Sequence, residues 1–178
     1  MNELFDQRFF RPWGMESSTA YWTPAVGAAF SVGFNREGGV RKVRDARRTT
    51  GNGPEPNAAW SLYSYSRDYA QILCHLIRER GGLSQETFDR MTSPQNAATP
   101  AVDWGLGFGI PKKDPNVLWH WGDNSGFQSF AVWDKVTGDG VVVHTNCDSG
   151  RELYFPLLKD ATDGAFFDDV KAFIDQAE

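Results

Sequence analysis

The hydrophobic pattern of the first half of the chain predicts helices separated by turns. Residues 2–11 read as the end of a helix that Pro12 closes. The clearest helix spans about residues 67–80, where an apolar stripe recurs at helical spacing. Ser66 is its expected N-cap and Gly81-Gly82 its end. A shorter helix is expected over residues 84–91.

The second half of the chain changes to short runs typical of strands. These runs are rich in aromatic and β-branched residues and cover residues 104–110, 117–121, 127–134 and 140–145. The turn over residues 137–140 favours an antiparallel hairpin between the last two runs. A helix after Asp163 carries one apolar face, which should lie on the sheet. Residues 28–34 and 40–44 flank Gly38-Gly39 and predict an earlier hairpin.

Length and composition fit a single globular domain. The chain has 178 residues, of which 40% are hydrophobic, and its 13 Phe and 7 Trp supply enough apolar surface for a core. Residues 1–100 are expected to form a helical and loop part, and residues 101–178 the sheet strands with the terminal helix. The apolar runs are far shorter than the roughly 20 residues that cross a bilayer, so no membrane span is expected. No signal peptide is visible, and the compartment stays open.

Charge and cysteine content exclude several classes of partner. The net charge of −5 gives no general attraction to nucleic acid, so none is expected as a partner. Residues 36–48 form a basic stretch, interpreted as a solvated loop, with a phosphate or partner contact as the alternative. Two cysteines make no disulfide framework, and Cys74 is expected to be a buried free thiol. No metal-ligand spacing occurs, so neither a metal nor a cofactor is expected.

Two glycine-containing patterns match known motifs only superficially. The glycines at 105, 107 and 109 lack dinucleotide-fingerprint spacing, and are interpreted as positions where another backbone comes close to a strand. Residues 122–126 are similar to the nucleophile segment of trypsin-like proteases, but no histidine stands in a matching context. His75 and His144 are interpreted as hydrogen-bonded structural histidines.

A series of motifs in order along the chain carries more information than any one of them. They are Arg11-Pro-Trp-Gly-Met15 followed by Ser18, residues 59–73, residues 83–94, residues 104–110, His120-Trp-Gly122, residues 126–129 and residues 141–146. In this order the series resembles the carboxy-terminal portion of the serine β-lactamase-related family. That family includes class C-like β-lactamases, D-alanyl-D-alanine peptidases and family VIII-like esterases. The resemblance covers nearly the whole chain.

The resemblance implies an α+β fold, with an antiparallel β-sheet flanked by helices as part of a β-lactamase or penicillin-binding-protein-like fold. It also implies an acyl-transfer site whose third motif, Lys-Thr-Gly or His-x-Gly, is here His120-Trp121-Gly122. Gly122 lets a substrate approach the strand, and the N–H of Asp123 is an expected oxyanion donor. His120 is expected in the cleft, with Trp121 as an apolar wall and Ser125 as a further substrate-binding candidate. The alternative is a strand end with an exposed imidazole.

The sequence departs from the family pattern at the other two motifs. It contains no Ser-x-x-Lys and no Tyr-x-Asn; the nearest approach is Ser64-Tyr-Ser-Arg67, whose arginine cannot act as a base. The chain is therefore expected to be a fragment that begins after both motifs and is inactive alone. Completed, it would act on small-molecule β-lactam, peptide or ester substrates.

A missing first half has a structural consequence. Open strand edges should invite a partner chain or self-association. A non-catalytic binding or scaffold domain from the same family is the alternative function, and a trypsin-like protease is a third.

Overall fold

A computed structural model describes residues 2–41, 58–162, 164 and 166–176 of the chain. These residues form three layers, with one antiparallel sheet between two layers of helices. The predicted α+β class, with an antiparallel sheet flanked by helices, is confirmed. Within the described residues, no helix is long and apolar enough to cross a membrane.

The sheet of the described residues has six strands, and each pairs with the next one along the chain. The strands are β1 (Asn96–Ala97), β2 (Val102–Trp104), β3 (Gly109–Pro111), β4 (Val117–Asn124), β5 (Phe127–Asp134) and β6 (Gly140–Thr145). All five pairings are antiparallel, so short turns suffice to connect them.

The helices lie before and after the sheet in the sequence. They are α1 (Asn2–Phe5), α2 (Pro24–Ala29), α3 (Ser66–Glu79), α4 (Gln85–Met91), α5 (Gly150–Ala161) and α6 (Phe167–Gln176). A π-helical turn over Asp6–Phe10 extends α1, and a 3₁₀ turn over Arg80–Gly82 extends α3. The helices therefore reach the sheet from both ends of the chain.

The sheet separates two hydrophobic cores because successive strand residues point to opposite faces. One core joins β4 and β5 to α5 and α6, and includes Val102, Val117, Trp119, Phe130, Val132, Tyr154, Leu158, Val170 and Ile174. The other joins the same strands to α3, and includes Leu73, Leu76, Ile110, Leu118, Ala131 and Trp133. Both faces of β4 and β5 are thus covered, which fixes their register.

The strand predictions were right at the end of the chain and needed correction before it. Residues 127–134 and 140–145 are strands β5 and β6, as predicted. The single run over 104–110 is wrong, because Gly107, with φ of +96°, turns the chain between β2 and β3. A Cβ at Gly105 would lie 2.5 Å from the carbonyl oxygen of Met91, so another backbone does approach there.

The amino-terminal predictions also needed correction. The hairpin over 28–34 and 40–44 reduces to one bridge between Phe34 and Val40, Ala28 and Ala29 belong to α2, and residues 42–44 lie outside the described residues. The helix predicted at 67–80 exists, but Tyr65 is its N-cap and Ser66 its first residue.

Two side chains of α3, Cys74 and His75, have surroundings that differ from those predicted. Cys74 is free, but it is only half-buried. The His75 ring stacks on the Trp13 ring with centroids 5.0 Å apart, and its Nδ1 lies 3.5 Å from Glu79 Oε2 without a hydrogen bond of normal geometry. The ring contact joins the turn after α1 to α3.

A buried carboxylate also joins this turn to the first turn of α3. Asp68 is 2% exposed, and its Oδ2 accepts bonds from the backbone N–H of Ser17 and the hydroxyl of Ser18, both at 2.9 Å. The Ser18 hydroxyl also lies 2.8 Å from that of Ser64. An acidic side chain is favourable at this end of a helix. Asp68 therefore holds segments that lie about 50 residues apart in the sequence.

Replacing Asp68 with alanine should lower the free energy of unfolding by about 2–3 kcal/mol, because two donors lose a charged, buried acceptor. Asp89→Ala is the matched control. Exposed Asp89 accepts from Gln85 on the same helix and, among the described residues, from no other side chain, so its loss should change stability by less than about 0.5 kcal/mol. Urea denaturation measures both. Equal effects from the two variants would contradict this role of Asp68.

Candidate functional site

The backbone groups of β4 alternate between β5 and the opposite side of the strand. The N–H of Lys135 donates to the carbonyl of Asn116 at 3.0 Å, in register with the β4–β5 pairs. Hydrogen-bonded and non-bonded pairs alternate along an antiparallel ladder. His120 and Gly122 therefore bond to β5. Trp121 and Asp123 direct their N–H and C=O groups away from it.

The side of β4 facing away from β5 is an open edge at the predicted motif. The β3–β4 register contains one pair, Gly109 with Trp119, so no described strand pairs with β4 from His120 onward on this side. A Cβ at Gly109 would lie 2.4 Å from the Trp119 indole, so glycine makes this crossing possible. The Trp104 ring borders the open edge, 6.0 Å from His120.

The side chains of the His-x-Gly segment divide between the two faces of the sheet. His120 and Gly122 lie on the α3 face, in register with Ala131 and Ser129. Trp121 lies on the other face, where its ring contacts Phe173 of α6 at 5.6 Å. The open edge therefore carries an imidazole on one face and an indole on the other.

The exposed side chain of Asp123 is held by two buried residues, one on β5 and one at the start of α5. Its Oδ2 accepts a bond from Gln128 Nε2 at 2.8 Å and lies 3.4 Å from a guanidinium nitrogen of Arg151. The Gln128 Oε1 accepts the backbone N–H of Arg151 at 2.8 Å. Because Gln128 is 2% exposed and Arg151 is 8% exposed, this network fixes the end of β4 against α5.

The turn between β4 and β5 contains two residues, Ser125 and Gly126. Gly126 has φ of +82°, and a Cβ there would lie 2.9 Å from the Cα of Gly33, so glycine is required. Its N–H donates to Asp148 at 2.5 Å. Ser125 and Asp123 line a polar cavity of about 440 Å³, which is also lined by Arg36, Glu37, Arg41, Gln128, Asp148 and Arg151. This cavity lies beside the α5 end of the sheet.

The basic stretch predicted over residues 36–48 is described only in its first part. Arg41 donates from Nε to Asp148 Oδ2 at 2.7 Å, and Arg36 forms an ion pair with Glu152. These two arginines attach the segment to the start of α5. Residues 42–48 lie outside the described residues.

Burial favours the uncharged forms of the titratable groups on the α3 face. It lowers the pKa of His120, although a backbone hydrogen bond at Trp121 acts in the opposite direction. It also lowers the pKa of His144 and raises that of Tyr69, whose ring meets the His144 ring at 5.6 Å. At neutral pH, therefore, His120 has a lone pair that can accept a proton.

Comparison with known proteins identifies the family. The family profile described as "Beta-lactamase" matches residues 1–159. The chain belongs to the beta-lactamase family. Among curated protein sequences, none matches it.

Solved structures similar to this beta-lactamase-family chain support the fold. A penicillin-binding protein from Bacillus halodurans has a TM-score of 0.71 at 16% identity, covering 90% of this chain and 48% of that one. A beta-lactamase/D-alanine carboxypeptidase from Pseudomonas syringae has a TM-score of 0.60 at 15% identity, covering 83% of this chain and 48% of that one. A D-stereospecific amidohydrolase from Streptomyces sp. has a TM-score of 0.61 at 22% identity, covering 83% of this chain and 44% of that one. The chain thus spans less than half the length of each structure.

The structure brings together part of the residues that the sequence singled out. His120 and Gly122 share one face, the Asp123 N–H points to the open edge, and Trp121 and the Asp123 side chain lie on the opposite face. Sequence reasoning did not single out Ser129 as the neighbour of Gly122, although its Cβ lies 3.9 Å from the position that a Cβ at Gly122 would take. The two-residue turn was the available signal, since it places Ser129 opposite Gly122.

The lowered histidine pKa values predict a pH-dependent stability. The unfolded chain takes up protons on these histidines near their ordinary pKa of about 6.5, whereas the folded chain does so at lower pH. The free energy of unfolding should therefore fall as the pH is lowered from about 7 to 5.

Urea denaturation across this pH range measures the slope for the protein and for a His120→Gln/His144→Gln variant. The variant should be less stable overall, because a ring contact with Tyr69 is lost, and its slope should be smaller. If the free energy of unfolding of the variant changes with pH as steeply as that of the protein, groups other than these histidines cause the pH dependence.

Proposed function

We propose that this chain is the substrate-edge component of an acyl-transfer serine hydrolase. Its substrates are β-lactams, peptides ending in D-alanine, or small esters. The observation that carries the proposal is the Asp123 N–H, which points to an open strand edge beside Gly122. Full-length neighbours include proteins named for beta-lactamase, D-alanine carboxypeptidase and D-stereospecific amidohydrolase activity.

The open edge supports binding of an extended substrate. The N–H and C=O of Trp121 face away from β5, and the backbone bond with the His120 ring leaves the N–H for a substrate backbone that pairs with this edge as an added strand. Gly122 has no Cβ on the side where His120 lies, and a Cβ there would meet only Ser129 at 3.9 Å. A substrate carbonyl can therefore approach the strand closely.

The next N–H along this edge is placed to stabilise negative charge. As a nucleophile attacks the substrate carbonyl, charge develops on the carbonyl oxygen, and the Asp123 N–H donates to it. Gln128 and Arg151 hold the Asp123 side chain, so the donor is fixed before the substrate binds. Removing one oxyanion donor typically costs about a hundredfold or more in rate.

The nucleophile has to come from a different segment. The chain has no Ser-x-x-Lys, and Ser125 lies in the turn after β4, on the α5 side of the sheet. Burial favours the neutral form of His120, so it can exchange a proton with a group brought to the open edge. We therefore infer that the chain is silent alone and active once a segment with Ser-x-x-Lys and Tyr-x-Asn is supplied.

The test mixes the chain with a separately made amino-terminal half of a beta-lactamase-family protein that carries both motifs. A chromogenic cephalosporin and a short-chain nitrophenyl ester report turnover. The hydrolysis rate with either half alone should not exceed the rate in buffer, and the mixture should hydrolyse at least one substrate. Gly122→Ala should lower that rate by about tenfold or more, since its Cβ occupies the substrate path. Gly27→Ala, on α2, is the matched control, since the nearest side chain to its Cβ would be the Trp22 ring at 3.3 Å.

Two outcomes would contradict the proposal. Turnover by the chain alone that Ser125→Ala abolishes would place the nucleophile within these residues. A stable complex of the two halves with no hydrolysis of either substrate would favour a binding or scaffold domain instead.

A further inference from the structure

The α3 face of the β4–β5 hairpin continues past Gly122 toward the turn. Side chains alternate between the two faces of a strand, so Asn124 and Phe127 share the face of Gly122 and Ser129. Asn124 pairs with Phe127 in the last pair before the turn, two residues or about 7 Å from the pair of Gly122 with Ser129. The face that carries the His-x-Gly segment therefore ends in an aromatic ring.

The Phe127 ring is one of four rings that pack together at this end of the sheet. Its centroid lies 5.2 Å from that of Phe30, and the Phe30 centroid lies 5.1 Å from that of Trp22 and 6.2 Å from that of Tyr63. We call these four residues the aromatic cluster. All four are half-buried, so each keeps part of its surface exposed among the described residues. Phe30 lies between Phe127 and the other two rings.

The backbone fixes the aromatic cluster against the turn between β4 and β5. A Cβ at Gly33 would lie 2.8 Å from the Phe127 ring and 2.9 Å from the carbonyl oxygen of Gly126, so the segment after α2 crosses this turn closely. Before α3, Tyr63 exchanges two backbone hydrogen bonds with Thr19, at 2.8 and 3.0 Å. The rings are thus placed before any ligand binds, which favours binding.

The order of groups along β4 determines which part of a substrate faces the aromatic cluster. With the substrate carbonyl oxygen at the Asp123 N–H, His120 lies toward one end of β4 and Phe127 lies beyond the other end. The leaving group is the part of the substrate that takes up a proton when its bond to the carbonyl carbon breaks. Because His120 can supply that proton, the leaving group extends toward His120. The acyl substituent then extends toward Phe127.

We propose that Phe127 and Phe30 form an acyl-group subsite, and that it takes an uncharged aromatic acyl substituent such as phenylacetyl. This inference rests on the function proposed above and names its substrate class. The separation of about 7 Å between the two strand pairs is close to the length of a phenylacetyl group. Aromatic rings pack favourably on one another edge-to-face or offset, which is the geometry that half-buried rings offer to a further ring.

The electrostatic character of the α3 face favours an uncharged substituent. Burial lowers the pKa values of His120 and His144 and raises that of Tyr69, so all three are mostly uncharged at neutral pH. The aromatic cluster adds rings without charge. A charged substituent would lose hydration here without gaining an ion pair from these groups. An aromatic substituent gains apolar contact instead.

Two nitrophenyl esters with the same leaving group, the acetate and the phenylacetate, test the subsite in the mixture of the chain with the amino-terminal half. Relative to hydrolysis in buffer, kcat/KM should be about tenfold or more higher for the phenylacetate. Phe30→Ala should lower that value by about tenfold and change the acetate value by less than about twofold. Phe5→Ala is the matched control and should keep the preference, since half-buried Phe5 packs on Phe9 and Phe10.

Three outcomes have different meanings. An equal effect of Phe30→Ala on both esters, or no effect on either, would overturn the subsite. A Phe30→Ala chain that no longer binds the amino-terminal half would also overturn it, because the aromatic cluster would then hold that half. Hydrolysis of neither ester by the unaltered mixture would contradict the function proposed above, and ligand binding to the chain alone then decides the subsite.

The binding test follows the NMR amide signals of Phe30 and Phe127 in the chain alone. Titration with N-phenylacetyl-D-alanine should shift both signals to saturation, whereas N-acetyl-D-alanine should leave them unchanged. In Phe30→Ala the Phe127 signal should no longer respond, and Phe5→Ala should respond like the unaltered chain. If the phenylacetyl compound shifts neither signal, or both compounds shift them equally, the subsite is refuted whatever the hydrolysis assay shows.

Discussion

The antiparallel ladder allows each strand residue to bond on one side only. In β4, this rule assigns His120 and Gly122 to β5 and leaves Trp121 and Asp123 facing outward. The single β3–β4 pair at Trp119 then ends the neighbouring strand just before the motif. The open edge thus follows from backbone geometry, and the side chains determine what it can bind.

The packing around β4 explains how this edge stays in place without a neighbouring strand. The Trp104, Trp119 and Trp121 rings lie 5.5–5.9 Å from one another and from Phe173 of α6. At the far end of the strand, Gln128 joins Asp123 to α5. Both terminal helices are therefore attached to β4, one near its middle and the other at its end. Rigid support of this kind suits a hydrogen-bond donor, such as the Asp123 N–H, whose bond to a substrate oxygen strengthens in the transition state.

The sequence predicted the parts of the fold that local rules control. β5 and β6 follow from β-branched residues and glycine-containing turns, and their predicted bounds agree with the structure. The helix α5 was missed because Pro156 interrupts its pattern. Pro156 is exposed, which places the helix position without an N–H on the solvent side of α5.

The candidate site was predictable only in part for a related reason. The order of motifs located His120, Gly122 and Asp123, but it did not show which of them shared a face. The network from Asp123 to Arg151 joins residues 28 positions apart, and depends on how α5 packs on the sheet. Such contacts arise from tertiary packing, which a local pattern does not contain.

Amide hydrogen exchange along β4, resolved by residue, tests most directly whether this edge is open. Trp121 and Asp123 should exchange many times faster than His120 and Gly122, whose N–H groups bond to β5. Equal protection of all four amides, or slow exchange at Asp123, would mean that the edge is covered and would contradict the account.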